Sequence, residues 1–341
     1  MTRFRSVLTE RVRLRRSGSS YILSLIFWRL SQVGFVLVSV SIIIFLILNA
    51  MPGSVIDARI GPLPNFSPEE RDRIVASLTK QLGLDKPLWY QYGLWLRQII
   101  GGDFGFSFQG LKVSSLISAR FGPTIELGIL SVIFGVLGSF FVSLLAFRTR
   151  FRAVRGGIQG TMTVLLVMPA FWLGLLLVIV LAANLNVLPS GGFVPFGEDK
   201  VDHIRFLVLP VITLALPQMA LYFRYLYSGL RDTENLQFVT ASRARGISER
   251  AVVYRHILPN AVIPTITVIG LVVGSLISGL VIVEAVFSWP GLGSLLVTSI
   301  GAQDYSTVSA IVLITAILYV VTAFVVDVIY ELVDPRTRRR L

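Results

Sequence analysis

The sequence contains no cysteine and only two histidines among its 341 residues. The absence of cysteine excludes disulfides, thiolate metal sites and cysteine nucleophiles. The histidines, His203 and His256, both fall in predicted loops, and the sequence has no H-E-x-x-H motif. Because this motif supplies two zinc ligands and a catalytic glutamate, its absence excludes a zinc protease of that type. We therefore expect no metal site and no catalytic centre, and the chain is predicted not to be an enzyme.

Charge is also scarce, with 15% charged residues against 54% hydrophobic residues and a mean hydropathy of +0.76. A soluble domain of this size would need a much more highly charged surface. Apolar runs of about 20 residues, by contrast, are each long enough to cross a hydrocarbon core of about 30 Å. The composition therefore indicates an all-α, polytopic membrane protein.

Six apolar runs are predicted to be transmembrane helices, namely residues 30–51, 124–147, 158–183, 206–227, 261–286 and 308–329. The other predicted regions are a basic tail (1–29), an insertion after the first span (52–123), a five-helix core (124–331) with a connecting loop (228–260), and a basic tail (332–341). Prolines inside several spans can be tolerated where neighbouring helices satisfy the backbone, which predicts a packed bundle.

The net charge of +12 is unevenly distributed along the chain. Most of the 31 lysines and arginines lie in the two tails and in the segments after the second and fourth spans. The positive-inside rule places such segments in the cytoplasm. Both termini are therefore predicted to be cytoplasmic and the insertion extracytoplasmic. This distribution explains the basicity better than nucleic-acid binding, so we expect no nucleic-acid partner.

The stretch "TASRARGISERAVVYRHILP", residues 240–259, places four arginines and a histidine between two spans. Asp232 or Thr233 is predicted to begin a short helix, and Gly246 is predicted to end it in the left-handed conformation. Ser248 is predicted to cap a second short helix.

One face of the first short helix is predicted to be apolar through Val239, Ala241 and Ala244. An element of this kind suits a groove in a partner protein. The alternative is an ordinary loop whose arginines only fix the membrane topology.

This stretch resembles the EAA loop of ABC importer permeases, whose pattern is E-A-A, three residues, Gly, nine residues and I-x-L-P. "TAS" occupies the E-A-A place, Gly246 matches the glycine, and Leu258 with Pro259 matches the end. Thr240 replaces the glutamate and His256 the isoleucine. These departures resemble the dipeptide/oligopeptide/nickel branch of the family. The stretches "VEAVFSWPGLGSLLVTSIGAQDY" and "GDFGFSFQGLKVSSLISARFGPTIELG" are also similar to that branch.

The resemblance implies a type I ABC importer permease fold of the first-permease type, with a large extracytoplasmic insertion, in the bacterial inner membrane. Its loop would be a coupling helix seated in a cleft of a cytoplasmic ATPase subunit. The implied partners are a second related permease, two ATPase subunits that carry ATP and magnesium, an extracytoplasmic substrate-binding protein and the lipid bilayer. The chain itself has no G-x-x-x-x-G-K-[ST] motif, so it is expected to bind no cofactor.

The residues assigned to ATPase coupling by the resemblance are Thr240, Ala241, Ser242, Arg243, Arg245, Gly246, His256, Leu258 and Pro259. We also expect Arg243, Arg245 and Arg250 to contact acidic residues of the ATPase, because they cluster in the sequence.

Intramembrane carboxylates are costly and are usually functional. Glu126 and Glu284 lie at the predicted outer ends of their spans, and Asp327 lies near the inner end of the last span. For Glu284 we favour hydrogen bonds to the following "SWPGLG" loop, with an outer gate or a substrate contact as the alternative. The candidate residues at this outer turn are Glu284, Trp289, Pro290, Gly291 and Gly293.

The predicted function is a permease subunit that forms half of a translocation path for di- or oligopeptides or a related small solute. Similar permeases also carry nickel chelates and glutathione, and the sequence does not distinguish these substrates. A stand-alone secondary transporter or channel is the first alternative. It is less favoured because no carboxylate lies at the centre of a predicted span and no internal repeat is present. A membrane-embedded enzyme or scaffold is the second alternative.

Overall fold

The computed structural model describes residues 31–47, 49–50 and 85–333. Over these residues the chain is helical, and strand pairing is limited to an isolated bridge between Phe106 and Lys112. The helices are α1 Ser31–Ile47, α2 Leu88–Ile100, α3 Val113–Arg148, α4 Arg152–Val167, α5 Ala170–Asn184, α6 Lys200–Glu234, α7 Gln237–Ala244, α8 Glu249–Val252, α9 Leu258–Val286, α10 Leu292–Gly301 and α11 Tyr305–Val333. The tail 1–29, nearly all of the tail 332–341 and the first part of the predicted insertion lie outside the described residues.

Four helical stretches in the described ranges are long and apolar enough to cross a membrane, namely Val113–Arg148, Lys200–Glu234, Glu249–Gly274 and Tyr305–Val326. The pair α4 and α5 adds a fifth crossing if the two are counted as one broken span. Helix α1, which is apolar but shorter, makes up most of the described part of the first predicted span. The all-α, polytopic membrane architecture expected from the sequence is confirmed.

The third predicted span, 158–183, is wrong as a continuous helix because the chain bends by 112° between α4 and α5. Met168 adopts an extended conformation with ψ of 125° immediately before Pro169. The proline ring disfavours the helical region for the residue that precedes it, and this ends α4. Helix α5 then begins at Ala170 with Pro169 as its N-cap.

The second predicted span began too late, because α3 starts at Val113 and continues through Pro123 to Arg148. The first turns of α3 carry polar residues, so the apolar run from which the span was predicted did not include them. Val113 and Ile117 are nevertheless buried, and they pack with residues of α10 and α11. The fourth predicted span is likewise too short, because α6 extends beyond it at both ends. The N-cap of α6, Asp199, accepts hydrogen bonds from the backbone N–H groups of Val201 and Asp202.

Helix α6 lies at the centre of the bundle, where it packs against α3, α4, α5 and α9. The side of α3 that is buried carries a small residue at every fourth position, namely Ser131, Gly135, Ser139 and Ser143. A Cβ on Gly135 would stand 3.4 Å from the carbonyl oxygen of Ala215 in α6. Small residues at this spacing let two membrane helices approach closely, so the α3–α6 contact is fixed by size rather than by charge.

Candidate functional site

The basic loop, defined here as residues 235–257, begins later than predicted. Asp232 and Thr233 do not cap a new helix, because α6 continues to Glu234. An ion pair of 3.0 Å between Arg231 Nη1 and Glu234 Oε2, three residues apart, supports this last turn of α6. Helix α7 then starts after Leu236, which is extended with φ of −76° and ψ of 145°.

The glycine prediction for the basic loop is confirmed, since Gly246 has φ of +77°. Its N–H donates to Arg243 O at 3.0 Å, and the N–H of Ile247 donates to Ser242 O at 3.4 Å. These two bonds form the Schellman arrangement that closes a helix through a left-handed glycine. Ser248 stands at the N-cap position of α8, as predicted, but its side chain makes no capping hydrogen bond.

The two faces of α7 differ from the prediction. Val239 is fully buried and packs with Leu226, Leu230 and Ile257, so it is not part of an exposed apolar face. Ser242, one turn further, is also buried. The exposed residues of α7 are Gln237, Phe238, Thr240, Ala241 and Ala244, and the following Arg245 is exposed as well.

Arg243 is engaged inside the chain. Its Nη2 donates to Glu249 Oε1 at 2.6 Å and its Nε to Glu249 Oε2 at 3.1 Å. The same Nη2 lies 3.3 Å from Glu234 Oε1. The hydrogen bond to Glu249 raises the pKa of the Arg243 guanidinium above its ordinary value.

The remaining loop residues have different environments. Arg245 and Arg250 are exposed, and within the described ranges neither forms an ion pair. His256 lies in a π-helical turn, Val253–Ile257, rather than in a loop as predicted. Leu258 packs against the cluster beneath α7, and Pro259 is exposed in the first turn of α9.

At the other end of α9, Glu284 is fully buried beside the WPGLG turn, defined here as residues 288–294. Its Oε2 accepts hydrogen bonds from the N–H groups of Gly293 at 2.6 Å and Ser294 at 3.0 Å. Its Oε1 accepts one from Thr124 Oγ1 at 2.7 Å, and that hydroxyl accepts another from the N–H of Leu292 at 2.7 Å. The favoured interpretation of Glu284, hydrogen bonding to the following loop, matches this geometry.

Glycine is required in this turn because the Glu284 carboxylate occupies the space beside it. A Cβ on Gly291 would collide with the carboxylate carbon and both of its oxygens. A Cβ on Gly293 would collide with the backbone of Val281 and lie 2.9 Å from Glu284 Oε2. Pro290, between Trp289 and Gly291, is only partly buried.

Trp289 is fully buried and ties the turn to α3 and α6. Its Nε1 donates to Pro123 O at 3.0 Å, and its ring centroid lies 5.9 Å from that of His203. His203 is 2% exposed within α6, so its assignment to a loop was wrong. Its Nδ1 is 2.7 Å from Val194 O and its Nε2 is 2.9 Å from Glu126 Oε1.

Thr124 and His203 therefore belong to the group of side chains around Glu284 and Trp289, a position that the sequence did not predict for either of them. Thr124 lies 160 residues before its partner Glu284, and no local pattern joins them. The pairing of Glu126 with His203 spans 77 residues. Only the intramembrane carboxylates themselves, which need hydrogen-bonding partners when buried, could have signalled that such partners exist.

The described residues hold no group of three or more His, Asp or Glu side chains placed to bind a metal. A cavity of about 260 Å³ lies between α3, α9, α10 and α11. Its walls include Ile129, Val132, Leu276 and Leu280, with Glu284 at one edge. The lining is mostly apolar, and its polar side chains are Glu284, which is already hydrogen-bonded within the chain, and three threonines, Thr124, Thr315 and Thr322.

Comparison with known proteins shows that this chain is similar to membrane components of transport systems. Residues 135–339 match the family described as "Binding-protein-dependent transport system inner membrane component". The chain is 36% identical over 305 residues to the oligopeptide transport system permease protein AppB of Bacillus subtilis (strain 168), with 88% of this chain and 95% of AppB covered. It is 35% identical over 304 residues to the glutathione transport system permease protein GsiC of Salmonella typhi, with coverage of 89% and 94%.

Two solved structures share the fold. A crystal structure of an amino acid ABC transporter with histidines aligns with a TM-score of 0.51 at 15% identity, covering 64% of this chain and 94% of that one. An inward-facing form of the MetNI methionine ABC transporter aligns with a TM-score of 0.52 at 18% identity, covering 64% and 96%. At these identities the two structures support the fold alone.

Proposed function

Since the chain belongs to the family of binding-protein-dependent transport system inner membrane components, we propose that it forms half of a translocation path for short peptides or a related solute. It is a multi-pass membrane protein and a permease subunit of an ABC importer. The proposal extends this identity to the substrate class, the coupling site and the orientation in the membrane.

The observation that carries the proposal is the construction of the basic loop. Two short helices are closed against each other by Gly246 and rest on Leu226 and Leu230 of α6. The exposed surface of α7 presents Phe238 and the small residues Ala241 and Ala244 beside the guanidinium of Arg245, which forms no ion pair with another described residue. A compact knob with small residues at its surface and cations at its rim suits a cleft in an ATPase subunit.

The substrate proposal rests on the relatives. AppB is named for oligopeptide transport and GsiC for glutathione transport, and both match this chain along nearly their whole length. Glutathione is itself a peptide, so short peptides are the class of substrate that the two names have in common. An extracytoplasmic binding protein would select the solute and deliver it to this permease and a second, related one.

The proposed energy source lies outside this chain. Two cytoplasmic ATPase subunits would bind ATP and magnesium, and this subunit would catalyse no reaction. Its two tails and the basic loop would face the cytoplasm, because these segments together with residues 148–155 carry most of the 31 lysines and arginines.

Reconstitution in proteoliposomes separates this proposal from a stand-alone secondary transporter. The permease pair, the ATPase subunits and the binding protein are purified together and assayed for uptake of a labelled peptide. We expect uptake only with internal ATP and external binding protein. Uptake by the permease pair alone, driven by a proton or sodium gradient, would show instead that the protein is a stand-alone secondary transporter.

Replacement of Gly246 tests the loop itself. Gly246→Val forces a β-branched residue into the left-handed region, at a cost of roughly 1–2 kcal/mol, although a Cβ meets nothing within 4 Å. We expect this variant to insert normally but to hydrolyse several times more ATP per peptide imported. Gly246→Asn, which tolerates the left-handed conformation, is the matched control and should stay close to the parent. Normal coupling in Gly246→Val would contradict ATPase docking at this loop.

A further inference from the structure

The three arginines expected to contact an ATPase do not share one environment. Arg245 and Arg250 are exposed and, in the described part of the chain, form no ion pair. The Arg243 side chain is about one-third exposed and holds Glu249 through two nitrogens, at 2.6 and 3.1 Å. A guanidinium that already grips a carboxylate through two nitrogens has little capacity left for a carboxylate of another protein.

The partners of Arg243 occupy special positions. Glu234 is the last residue of α6, and Glu249 is the first residue of α8. Arg243 itself lies in the last turn of α7, which stands between those helices. One side chain therefore crosses both junctions of the basic loop: the extended link through Asn235 and Leu236, and the left-handed link at Gly246.

The charge network continues into the bundle. Glu234 Oε2 is 3.0 Å from Arg231 Nη1, and the Arg231 guanidinium carbon lies 5.2 Å from the ring centroid of Phe147 at the end of α3. Arg231 Nε also donates to Tyr227 Oη at 3.2 Å. A continuous set of contacts thus runs from the first residue of α8 through α7 and α6 to α3.

The attraction between these charged side chains does not by itself explain the arrangement. The side chains of Arg231, Glu234 and Arg243 are about one-quarter to one-third exposed, and Glu249 is 62% exposed, so water screens their attraction. The network instead fixes the orientation of α7 and α8 relative to α6, because a guanidinium that is bound through two nitrogens allows its partners little rotation.

We infer that Arg243 is a positioning residue, which makes α7 and α8 move with α6 and does not contact the ATPase. This inference rests on the proposed function of the basic loop. When an ATPase displaces α7, the two junctions could absorb the displacement by bending. Arg243 closes both of them, so the displacement reaches α6 and, through Arg231, α3.

The test uses the whole complex in proteoliposomes, with two readouts: the amount of ATPase that copurifies and the ATP hydrolysed per peptide imported. Arg243→Ala should retain the ATPase within about twofold but raise the ATP consumed per peptide several-fold. Arg243→Lys, which can engage only one carboxylate well, should fall between it and the parent. Arg245→Ala and Arg250→Ala are the matched controls, and any effect they have should be on ATPase copurification.

Glu249→Gln provides a second variant at an exposed position, where folding is not at risk, and it should raise the ATP cost as Arg243→Ala does. The double variant Arg243→Ala/Glu249→Gln should be no worse than Arg243→Ala, because both changes break the same contact.

Additive effects of the two changes, or loss of ATPase from Arg243→Ala, would overturn the inference. So would unchanged coupling in Arg243→Ala when the parent complex couples normally. A parent complex that never associates with an ATPase would overturn the proposed function itself.

Discussion

Glu284 is a carboxylate with no exposure to solvent and three hydrogen-bond donors around it. A buried charge is tolerated only when such donors replace the water it has lost. One donor comes from α3, and the other two come from the WPGLG turn where α10 begins. The side chain therefore joins α9 to α3 and to the turn at which α10 begins.

Glu284→Gln tests this role at nearly constant volume. A glutamine offers one acceptor oxygen and turns an N–H₂ group toward donors, so at least one hydrogen bond is lost. We expect a loss of roughly 1–3 kcal/mol in the free energy of unfolding, measured by chemical unfolding in detergent micelles. Glu198→Gln is the control, because it makes the same change at an exposed residue whose side chain forms no hydrogen bond with another described residue. Equal stability of the two variants would show that the three bonds contribute nothing.

At the scale of helices, close approach between α6 and α9 depends on Gly229. A Cβ at this position would stand 2.7 Å from Ala261 O and 3.2 Å from Ala261 Cα, both backbone atoms that cannot rotate away. Ala261 belongs to the buried cluster in which Val239 of α7 packs, and Gly229 lies next to Leu230 of that cluster in the chain. The spacing of α6 and α9 at the root of the basic loop is therefore set by the absence of a single methyl group.

Gly229→Ala should push α6 and α9 apart and lower the free energy of unfolding by about 1–3 kcal/mol. Gly160→Ala is the matched control in α4, where a Cβ meets nothing within 4 Å. There the alanine should be neutral or stabilise by up to about 1 kcal/mol, because glycine is the poorer helix former. Thermal unfolding of both variants in the same detergent compares them. A control that loses as much stability as Gly229→Ala would refute the steric explanation.

Local patterns predicted the elements whose causes are local. Gly246 and the WPGLG turn were found because a left-handed residue and a Pro-Gly pair leave their mark within a few positions. The break at Pro169 was missed because apolar residues continue on both sides of it. Val239 was assigned to the wrong face of α7, since hydropathy alone does not show whether an apolar residue points to the bundle or to a partner. The contact of Thr124 with Glu284 had no local signal at all.

At the scale of the whole molecule, the distribution of basic residues predicts the orientation, and the lack of cysteine makes that prediction easy to test. Single cysteines are introduced at three exposed positions, Gln109, Glu198 and Ser248. A membrane-impermeant maleimide should label Gln109→Cys and Glu198→Cys in right-side-out vesicles. It should label Ser248→Cys in inverted vesicles, where the cytoplasmic face is accessible. The opposite pattern would reverse the orientation.

The bond between Thr124 and Glu284 also has a consequence for how the protein is made. The two residues are 160 positions apart, and a ribosome adds roughly 5–20 residues per second. Thr124 therefore waits on the order of ten seconds after its own synthesis for its partner to be made. During that interval Thr124 lacks this hydrogen bond, which forms only after α9 and the glycines that follow it have left the ribosome.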